Sequence, residues 1–463
     1  MARTAQTKTE QSAMLRSLFL LAGPTVIEQA LQTVVQYADT AMVGQIGAQA
    51  SAAVGLTITV TWLVNSPLFA MGVGVLALIA KSIGENDLEK ARAASSQAVW
   101  IALALGLVMG AATLAASPFL PGWMGADPSL HRDASIYFAI ICAPMLFRSF
   151  SIIFASVLRA VGDTKTPMVV NGVMNLCNIV LNQLFISSGQ TFHILGFSVH
   201  IPGMGWGIAG AAIATAVSMC LGGTMIFAAA LRHPLLNMRG RKLQLDKPVL
   251  SEIVRVGIPV TLNRVVTCMG QVVFTSLVAG LGTLATAAHS IALTAEEAFY
   301  VPGYGMQAAT STLSGNALGR RSEKELHQVV HASLVLAVSI MSLMALGLFL
   351  FPDRMMALFT PDREVVETGA VLLRMVAVSE PLFAVFIIFE GVFQGIGDTR
   401  GPFVCSTVCM WVVRVCLTFV CVRWLGMGLR AVWVCMIADN ALRCFWLTAR
   451  YFAGVWKARF HRS

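Results

Sequence analysis

The sequence has few charged residues, and this shortage excludes most classes of soluble protein. Only 12% of the 463 residues are Asp, Glu, Lys or Arg, whereas 57% are apolar. A soluble globular protein carries about 25% charged residues. The composition therefore excludes an ordinary cytosolic enzyme, a disordered protein and a secreted disulfide scaffold. It favours an all-α integral membrane protein.

Motifs for catalysis, metal binding and nucleic-acid binding are also missing. The ten cysteines form no C-x-x-C pair, and neither H-E-x-x-H nor G-x-S-x-G occurs. Lys and Arg are scattered in short gaps between apolar runs and do not cluster with aromatic residues. His193 and His200, seven residues apart in the outer loop 189–204, are a weak signal for a metal site and favour a short surface hairpin. We expect no enzyme activity, no cofactor, no resident metal ion and no nucleic-acid partner.

Long apolar runs make up most of the chain. A membrane-spanning helix needs about 20 apolar residues, and runs of this length follow one another with short gaps. They cover residues 17–39, 57–81, 94–117, 135–158, 167–188, 205–231, 253–279, 285–315, 327–350, 368–394, 402–422 and 428–450. The sequence therefore predicts twelve transmembrane helices.

The distribution of Lys and Arg predicts the orientation. If the N-terminus is cytoplasmic, most Lys and Arg fall in inside segments, as the positive-inside rule requires. We therefore expect a multi-pass protein of the plasma (inner) membrane with both termini cytoplasmic. Residues 1–16 would be a cytoplasmic N-terminal segment, 232–252 a cytoplasmic linker and 451–463 a cytoplasmic tail.

The two halves of the sequence repeat each other at a shift of 235 residues, the difference between positions 24 and 259. Matching pairs are Pro24/Pro259, Gly47/Gly282, Pro67/Pro302 and Gly84/Gly319, and the loop Gly162–Pro167 returns as Gly397–Pro402. Each repeat holds an even number of spans, so the halves share one orientation. The repeat predicts two pseudo-symmetric six-helix bundles, residues 17–231 and 253–450, suited to alternating access. A duplication that merely enlarges a bundle is the alternative.

Two local features recur in both halves. Pro67 and Pro302 are expected to break or kink their helices, either as gating positions or as packing bends. In the Gly-Asp-Thr loops, the Asp or Thr side chain is expected to cap the helix that follows.

Polar stripes run along the first and fifth spans. Their residues are spaced three or four apart, so each set lies on one helix face. The sets are Glu28, Gln32, Gln36 and Asp39, and Asn171, Asn175, Asn178 and Asn182. Facing stripes would form an oxygen-rich pocket that holds a proton on Asp39 or a small hard cation. The alternatives are that the Asn residues only join helices and that Glu28 caps a helix end.

The second half carries several acids and arginines inside spans, and buried charges mark functional sites or pathways. Mutual pairing is the simplest interpretation of most of them. Glu296 and Glu297 are adjacent, point to different faces and cannot easily share a partner. With Glu390, they could give a cleft an acidic field for a cationic substrate. Glu28, Gln32 and Gln36 are further candidates for lining that cleft.

Several stretches resemble the multidrug and toxic compound extrusion (MATE) transporters over residues 15–450. They are Ala22–Pro24, Asp39–Gly44, Ala52–Gly55, Arg159–Pro167 and Gln394–Thr399. The resemblance implies two six-helix lobes around a V-shaped cleft. It also implies export of cationic or amphipathic drugs in exchange for H⁺ or Na⁺.

The resemblance also suggests roles for individual residues. Asp39 matches the family's first-span aspartate, the expected coupling residue, and Asn178 matches a fifth-span asparagine of the ion site. Asn182 stands where one branch has a second aspartate, and Thr215 matches a sixth-span threonine. Thr267 stands where another branch has a seventh-span glutamate. A cation-coupling site of Asp39, Asn178, Asn182 and Thr215 is therefore expected in the first lobe, and Asp39, Asn178 and Asn182 could take Na⁺.

One further function within the same superfamily stays open. A flippase of lipid-linked saccharide precursors would require a cationic cleft, and the buried arginines keep this alternative in view. The expected partners are small cationic or amphipathic substrates and membrane lipid, and we expect a monomer.

Overall fold

The computed structural model describes residues 2–44, 46–124, 126–186, 190–194, 197–201, 203–236 and 244–462. The helices of the first half are α1 (Ala2–Gly44), α2 (Ala48–Gly84), α3 (Leu88–Ala116), α4 (Leu120–Trp123), α5 (His131–Cys142), α6 (Met145–Ala160), α7 (Lys165–Ile186) and α8 (Gly207–Arg232). A 3₁₀ turn, Pro128–Leu130, precedes α5. The predicted N-terminal segment 1–16 is thus largely part of the helix that forms the first span.

The second half begins with four helices that carry the seventh to ninth spans and a short connector. They are α9 (Lys247–Ala279), α10 (Thr283–Gly319), α11 (Glu323–Leu350) and α12 (Pro352–Ala357). The remaining helices are α13 (Arg363–Ala377), α14 (Glu380–Gly395), α15 (Arg400–Val408), α16 (Leu417–Phe419), α17 (Leu429–Phe452) and α18 (Lys457–Arg462). The π-helical segment Cys409–Cys416 joins α15 to α16, and a second one, Val420–Trp424, follows α16. Together these elements form one continuous span, Arg400–Trp424.

These elements account for the twelve predicted spans. In the described part of the chain, nine helices are long and apolar enough to cross a membrane, and two bent helix pairs raise the number to 11. The remaining predicted run, 285–315, lies on α10, whose 37 residues extend about 55 Å. Each predicted apolar run lies on one of these elements, which confirms the all-α, twelve-span architecture.

Two spans are bent where the sequence suggested continuous helices. The axis turns by 49° between α5 and α6 and by 55° between α13 and α14. Pro144 and Pro381 lie at these bends, and proline lacks the N–H that would continue a helix. Pro67 and Pro302 lie inside α2 and α10, which continue past them, so neither helix breaks there, and a kink at these positions stays a prediction.

The repeat is visible in the backbone as well as in the sequence. Gly162 and Gly397 have φ of 87° and 74°. Asn86 and Arg321, also 235 residues apart, have φ of 58° and 52°, values uncommon for residues other than glycine. Positions related by the shift therefore adopt the same local conformation, as expected for two pseudo-symmetric halves.

The ends of α2 and α10 touch in a two-fold arrangement. A β-carbon at Gly84 would overlap the backbone carbonyl oxygen of Asn316, and one at Gly319 would overlap that of Lys81. Lys81 and Asn316 are themselves related by the repeat. Each helix thus offers the same patch to the other, as in an isologous contact, and only glycine allows this approach.

By packing, the chain divides into two compact units. One contains Ile27–Val75 and Leu88–Val254, and the other contains Met1–Val26, Leu76–Asp87 and Arg255–Ser463. A core cluster of the first unit surrounds Phe138. A large cluster of the second surrounds Trp433. Each unit has its own apolar interior.

Residues 190–194 and 197–201 form the two paired strands of the predicted hairpin. Strand β1 (Gln190–Ile194) pairs antiparallel with β2 (Phe197–Ile201). His193 pairs with Ser198 and His200 with Thr191 in the backbone register. The side chains of both histidines lie outside the described residues, so the weak metal-site interpretation is not addressed.

The Gly-Asp-Thr loops share a backbone turn but use their side chains differently. Asp163 caps α7 by accepting a hydrogen bond from the backbone N of Thr166 at 3.0 Å. Asp398 instead pairs with Arg450 at 2.8 Å, while the hydroxyl of Thr399 donates to the backbone oxygen of Val256. The expected cap was therefore right in the first loop and wrong in the second, where a nearby guanidinium takes the carboxylate.

Candidate cation site

The polar stripes of α1 and α7 face each other. Asn171 Nδ2 donates to Glu28 Oε1 at 2.6 Å, and Asn182 Nδ2 donates to Asp39 Oδ1 at 2.6 Å. On each helix the second contact lies 11 residues beyond the first, from 28 to 39 and from 171 to 182, which is about three turns. The two helices therefore run parallel and meet along the predicted faces.

Asp39 begins a continuous chain of hydrogen bonds across three helices. Asn182 Nδ2 also approaches Asn178 Oδ1 at 3.2 Å, and Asn178 Nδ2 donates to Thr215 Oγ1 at 3.2 Å. The Thr215 hydroxyl donates in turn to the backbone oxygen of Ala211 at 3.0 Å. The structure thus brings together all four residues of the expected cation site.

The site is rich in oxygen acceptors. Asn182 is only 1% exposed and Asn178 only 5%, and the buried Oδ1 of Asn182 has no hydrogen-bond partner. Among the described residues, no Lys or Arg forms an ion pair with Asp39. A carboxylate beside carboxamide and hydroxyl oxygens can hold a proton or coordinate a hard cation.

Glu28, the other acid of the α1 stripe, has a different environment. Its Oε1 lies 2.6 Å from Arg159 Nη2, and its side chain is 2% exposed. Glu28 lies in the interior of α1, so the interpretation as a helix cap was wrong. Since Arg159 neutralises it, Glu28 is poorly suited to exchange a cation. Gln32 and Gln36, between the two acids, are exposed.

Tyr137 is a neighbour of the site that the sequence analysis missed. It packs against Val43 and Ala211 on α1 and α8, and it interacts electrostatically with both Asp39 and Arg148. The Nη1 atom of Arg148 donates to Met219 Sδ at 3.7 Å. A single tyrosine on an apolar span gives no sequence signal that separates it from a core aromatic.

Mutual pairing is found for one acid of the second half. Asp439 is completely buried, with Arg443 Nε 2.7 Å from Oδ1 and Arg414 Nε 2.7 Å from Oδ2. Asp439 and Arg443 lie on α17, and Arg414 lies on the preceding span, so arginines from two elements contact one carboxylate. This cluster carries a buried positive charge held by close contacts.

Glu296 and Glu380 do not follow that pattern. Glu296 is buried and accepts a hydrogen bond from the Tyr300 hydroxyl. Glu380 is also buried, lies within electrostatic reach of Glu296, and has no hydrogen-bond partner at either carboxylate oxygen. No ion pair within the described residues includes either acid. Mutual pairing was therefore wrong for Glu380, whose position near Glu296 depends on the bend between α13 and α14.

The other two acids of the predicted cleft are placed separately. Glu297 is exposed although its neighbour Glu296 is buried, as expected for adjacent residues of one helix. Glu390 accepts a hydrogen bond from Gln307 Nε2 at 2.8 Å. The second half thus holds several acidic side chains in distinct settings.

Asp39, Asn178 and Asn182 have no polar counterparts at the equivalent positions of the second half. Thr399 bonds Val256 and Arg414 bonds Gln271 across 143 residues, the separation that also joins Asn171 to Glu28 and Asn182 to Asp39. The helices of both halves therefore meet in the same register. One repeat beyond Asp39, Asn178 and Asn182, however, the residues are Phe274, Val413 and Leu417.

Known proteins are similar to this chain over nearly its whole length. The MatE family model matches residues 24–184 and, a second time, residues 259–420. The first residues of the two matches differ by 235, which is the shift of the sequence repeat. "Probable multidrug resistance protein NorM" of Thermotoga maritima is 27% identical over 98% of this chain and 95% of its own length. "Probable multidrug resistance protein YoeA" of Bacillus subtilis is 25% identical over 98% and 96%.

A solved structure shows the same architecture. An outward-facing multidrug resistance MATE family transporter of the MOP superfamily superposes with a TM-score of 0.88 at 25% identity, covering 96% of this chain and 97% of that chain. Such transporters have twelve helices in two lobes. With a family model that matches both halves and relatives that span its length, the chain belongs to the MATE family of membrane transporters.

Proposed function

We propose that this transporter is a secondary active antiporter that exports cationic or amphipathic compounds in exchange for H⁺ or Na⁺. Members of its family are transporters and not enzymes, and they use ion gradients to move small molecules. The observation that carries the proposal is the network of Asp39, Asn182, Asn178 and Thr215. It offers a carboxylate without a basic partner among the described residues.

In the proposed mechanism, the coupling ion binds at Asp39 from outside. A proton would neutralise the carboxylate directly, and Na⁺ would in addition use the carboxamide oxygens of Asn178 and Asn182. A proton removes, and Na⁺ offsets, the negative charge that Asn182 stabilises by hydrogen bonding. Ion binding can shift the protein between inward-open and outward-open states only if the two states bind the ion with different affinities.

The substrate site is proposed to use acidic and amide side chains. Glu296, Glu297 and Glu390 would attract a cationic substrate, and Gln32 and Gln36 would offer exposed amides. Glu28 is the weakest of the original candidates because Arg159 already neutralises it.

The proposed domain arrangement follows the sequence repeat. Residues 17–231 and 253–450 would be the two lobes that alternate in access, joined by a cytoplasmic linker at 232–252. The N-terminal segment 1–16 and the tail 451–463 would be cytoplasmic, in a monomer of the plasma membrane. The preference of Lys and Arg for one side supports this orientation.

Export of lipid-linked saccharide precursors is the second candidate. A flippase for pyrophosphate-linked lipids would need cations that face its substrate. Arg159, Arg414 and Arg443 are each bound to an acid, which speaks against this role, whereas Arg148 donates to Met219 Sδ and keeps the role in view. Complementation of a lipid-precursor export mutant by this chain would overturn the antiporter proposal.

Efflux of a fluorescent organic cation from pump-deficient cells tests the proposed function. We expect wild-type protein to export the dye and Asp39→Asn to lose most export at equal expression. Asp133→Asn, which removes an exposed acid at the start of α5, is the matched control and should export normally. Normal export by Asp39→Asn would contradict the assignment of Asp39.

A further inference from the structure

Two cysteine side chains meet between the last two spans. Cys435 Sγ on α17 lies 4.0 Å from Cys421 Sγ in the π-helical segment Val420–Trp424. Both residues carry free thiols, and both belong to one compact unit. The antiport proposal assigns neither of them a role.

The thiol contact continues the regular pairing of two antiparallel helices. Arg414 Nε on the eleventh span lies 2.7 Å from Asp439 Oδ2 on α17. Seven residues beyond Arg414 is Cys421, and its partner Cys435 is four residues before Asp439. Residue numbers rise along one span as they fall along the other, as neighbouring spans of opposite direction require. The cysteine contact is therefore part of the packing between these two helices.

The two sulfur atoms are close enough to be joined after a small adjustment. A disulfide bond is about 2.05 Å long, so the thiols must approach by about 2 Å. Rotation of both side chains about χ1 moves the sulfur atoms over distances of this size without moving the helix axes. The pair thus meets the first condition for a disulfide, which is proximity across two elements.

The pair lies close to one end of both spans. Cys421 is partly exposed and comes three residues before Trp424, where its span ends. Trp424 is 75% exposed, and tryptophan is typical of the membrane–water boundary. The chain then turns back at once: the backbone N of Met427 donates to the carbonyl oxygen of Cys421 at 2.9 Å. In the proposed orientation this turn faces the outside, where disulfides form and persist.

A second pair of cysteines on the eleventh span has a different geometry. Cys405 and Cys409 are both fully buried and lie four residues apart on successive turns of one helix. The β-carbons of such residues are about 5–6 Å apart, whereas a disulfide places them about 3.8 Å apart. This pair is therefore expected to stay reduced.

From the contact between Cys421 and Cys435 we propose a redox modification site that an external disulfide oxidises. The Cys421 thiol loses its proton to water, and the thiolate attacks one sulfur of the external disulfide, whose other sulfur leaves as a thiolate. The Cys435 thiolate then attacks Cys421 Sγ and releases the first sulfur. Two protein thiols become one disulfide, and their two electrons reduce the external disulfide to two thiols.

The new bond braces the last two spans against each other. It joins them near their ends, two helical turns beyond the ion pair of Arg414 with Asp439. Two links at different depths prevent the spans from separating or sliding along each other. A disulfide also restricts the unfolded chain, which stabilises the folded protein.

Peptide mapping of the full chain tests the site without any transport measurement and without reference to orientation. Purified protein in detergent is reduced, freed of reductant, incubated with oxidised glutathione and then alkylated with N-ethylmaleimide. Trypsin, which cuts after Lys and Arg, releases residues 415–423 and 431–443 as separate peptides. We expect mass spectrometry to find these two peptides joined in most of the protein and separate again after reduction.

Three variants show which thiols form the bond. Cys416→Ser is the matched control, because Cys416 is exposed on the same peptide as Cys421, and it should keep the link. Cys421→Ser and Cys435→Ser should both lose it. No joined peptides in the wild type, or equal amounts of them in Cys421→Ser, would overturn the proposal.

Thermal unfolding tests the bracing itself. Oxidation should shift the unfolding midpoint of the wild type to higher temperature, and it should leave the midpoint of Cys435→Ser unchanged. Equal midpoints of the reduced and the oxidised, cross-linked wild type would contradict the brace.

Discussion

At the scale of single residues, Asp39 and Glu28 show how neighbours decide the role of a buried acid. Both lie on one face of α1, and both accept a hydrogen bond from an asparagine of α7. Only Glu28 also pairs with an arginine, Arg159. Glu28 therefore contributes to structure, whereas Asp39 is suited to bind and release a cation.

Removing the basic partner of Glu28 should destabilise the protein. In Arg159→Met the carboxylate stays buried without its counter-charge, which costs about 3–5 kcal/mol. We expect a lower midpoint of thermal unfolding in detergent. Arg159→Met combined with Glu28→Gln should recover much of the loss. An unchanged midpoint in the single variant would show that the pair does not stabilise this helix contact.

The carboxamide of Asn182 should matter for ion affinity more than for folding. Asn182→Ala removes the donor to Asp39 and a buried oxygen that lacks a partner. With Na⁺ as the coupling ion, we expect the concentration that gives half-maximal dye export to rise about tenfold, because the site loses an oxygen ligand. With H⁺ as the coupling ion, that concentration should instead fall, because the carboxylate of Asp39 loses a donor that stabilises its charge. Asn175→Ala is the control, because Asn175 lies in the same stripe of α7 but outside the chain of hydrogen bonds from Asp39 to Thr215. Equal effects of the two substitutions would contradict a specific role for Asn182.

At the scale of elements, the contact of α2 with α10 depends on the absence of side chains. Gly319→Ala would place a β-carbon against the carbonyl oxygen of Lys81, so the helices would have to move apart. Overpacking of this kind costs about 1–3 kcal/mol, measurable as a lower unfolding temperature. Gly347→Ala, in α11 with nothing within 4 Å of the added carbon, should be neutral or slightly stabilising. The opposite order of stabilities would refute the close-contact account.

The sequence predicted the helix contacts that depend on the regular spacing of polar residues. The stripes of α1 and α7 met as expected because residues three or four apart share a helix face. The proximity of Glu380 to Glu296 could not be predicted in this way, since it depends on the bend before α14 and on packing between distant helices. The same reason explains why Asp398 binds Arg450 instead of capping its helix: the competing guanidinium comes from a segment 52 residues away.

At the scale of the whole molecule, a repeated fold carries an asymmetric set of functional groups. The two halves share backbone turns, the glycine contact and the helix register. The polar site of the first half is nevertheless replaced by apolar residues such as Phe274 and Leu417 in the second. The two halves are thus alike in backbone, and the Asp39 network has no equivalent at Phe274, Val413 and Leu417.

The most direct test of the account uses purified protein in liposomes, with an H⁺ or a Na⁺ gradient as the only source of energy. We predict that one of these gradients drives uphill transport of an organic cation by the wild type. Asp39→Asn should lose this response to the gradient while it still binds the cation in detergent. Uphill transport by Asp39→Asn at the wild-type rate would contradict the central claim that the ion couples at Asp39.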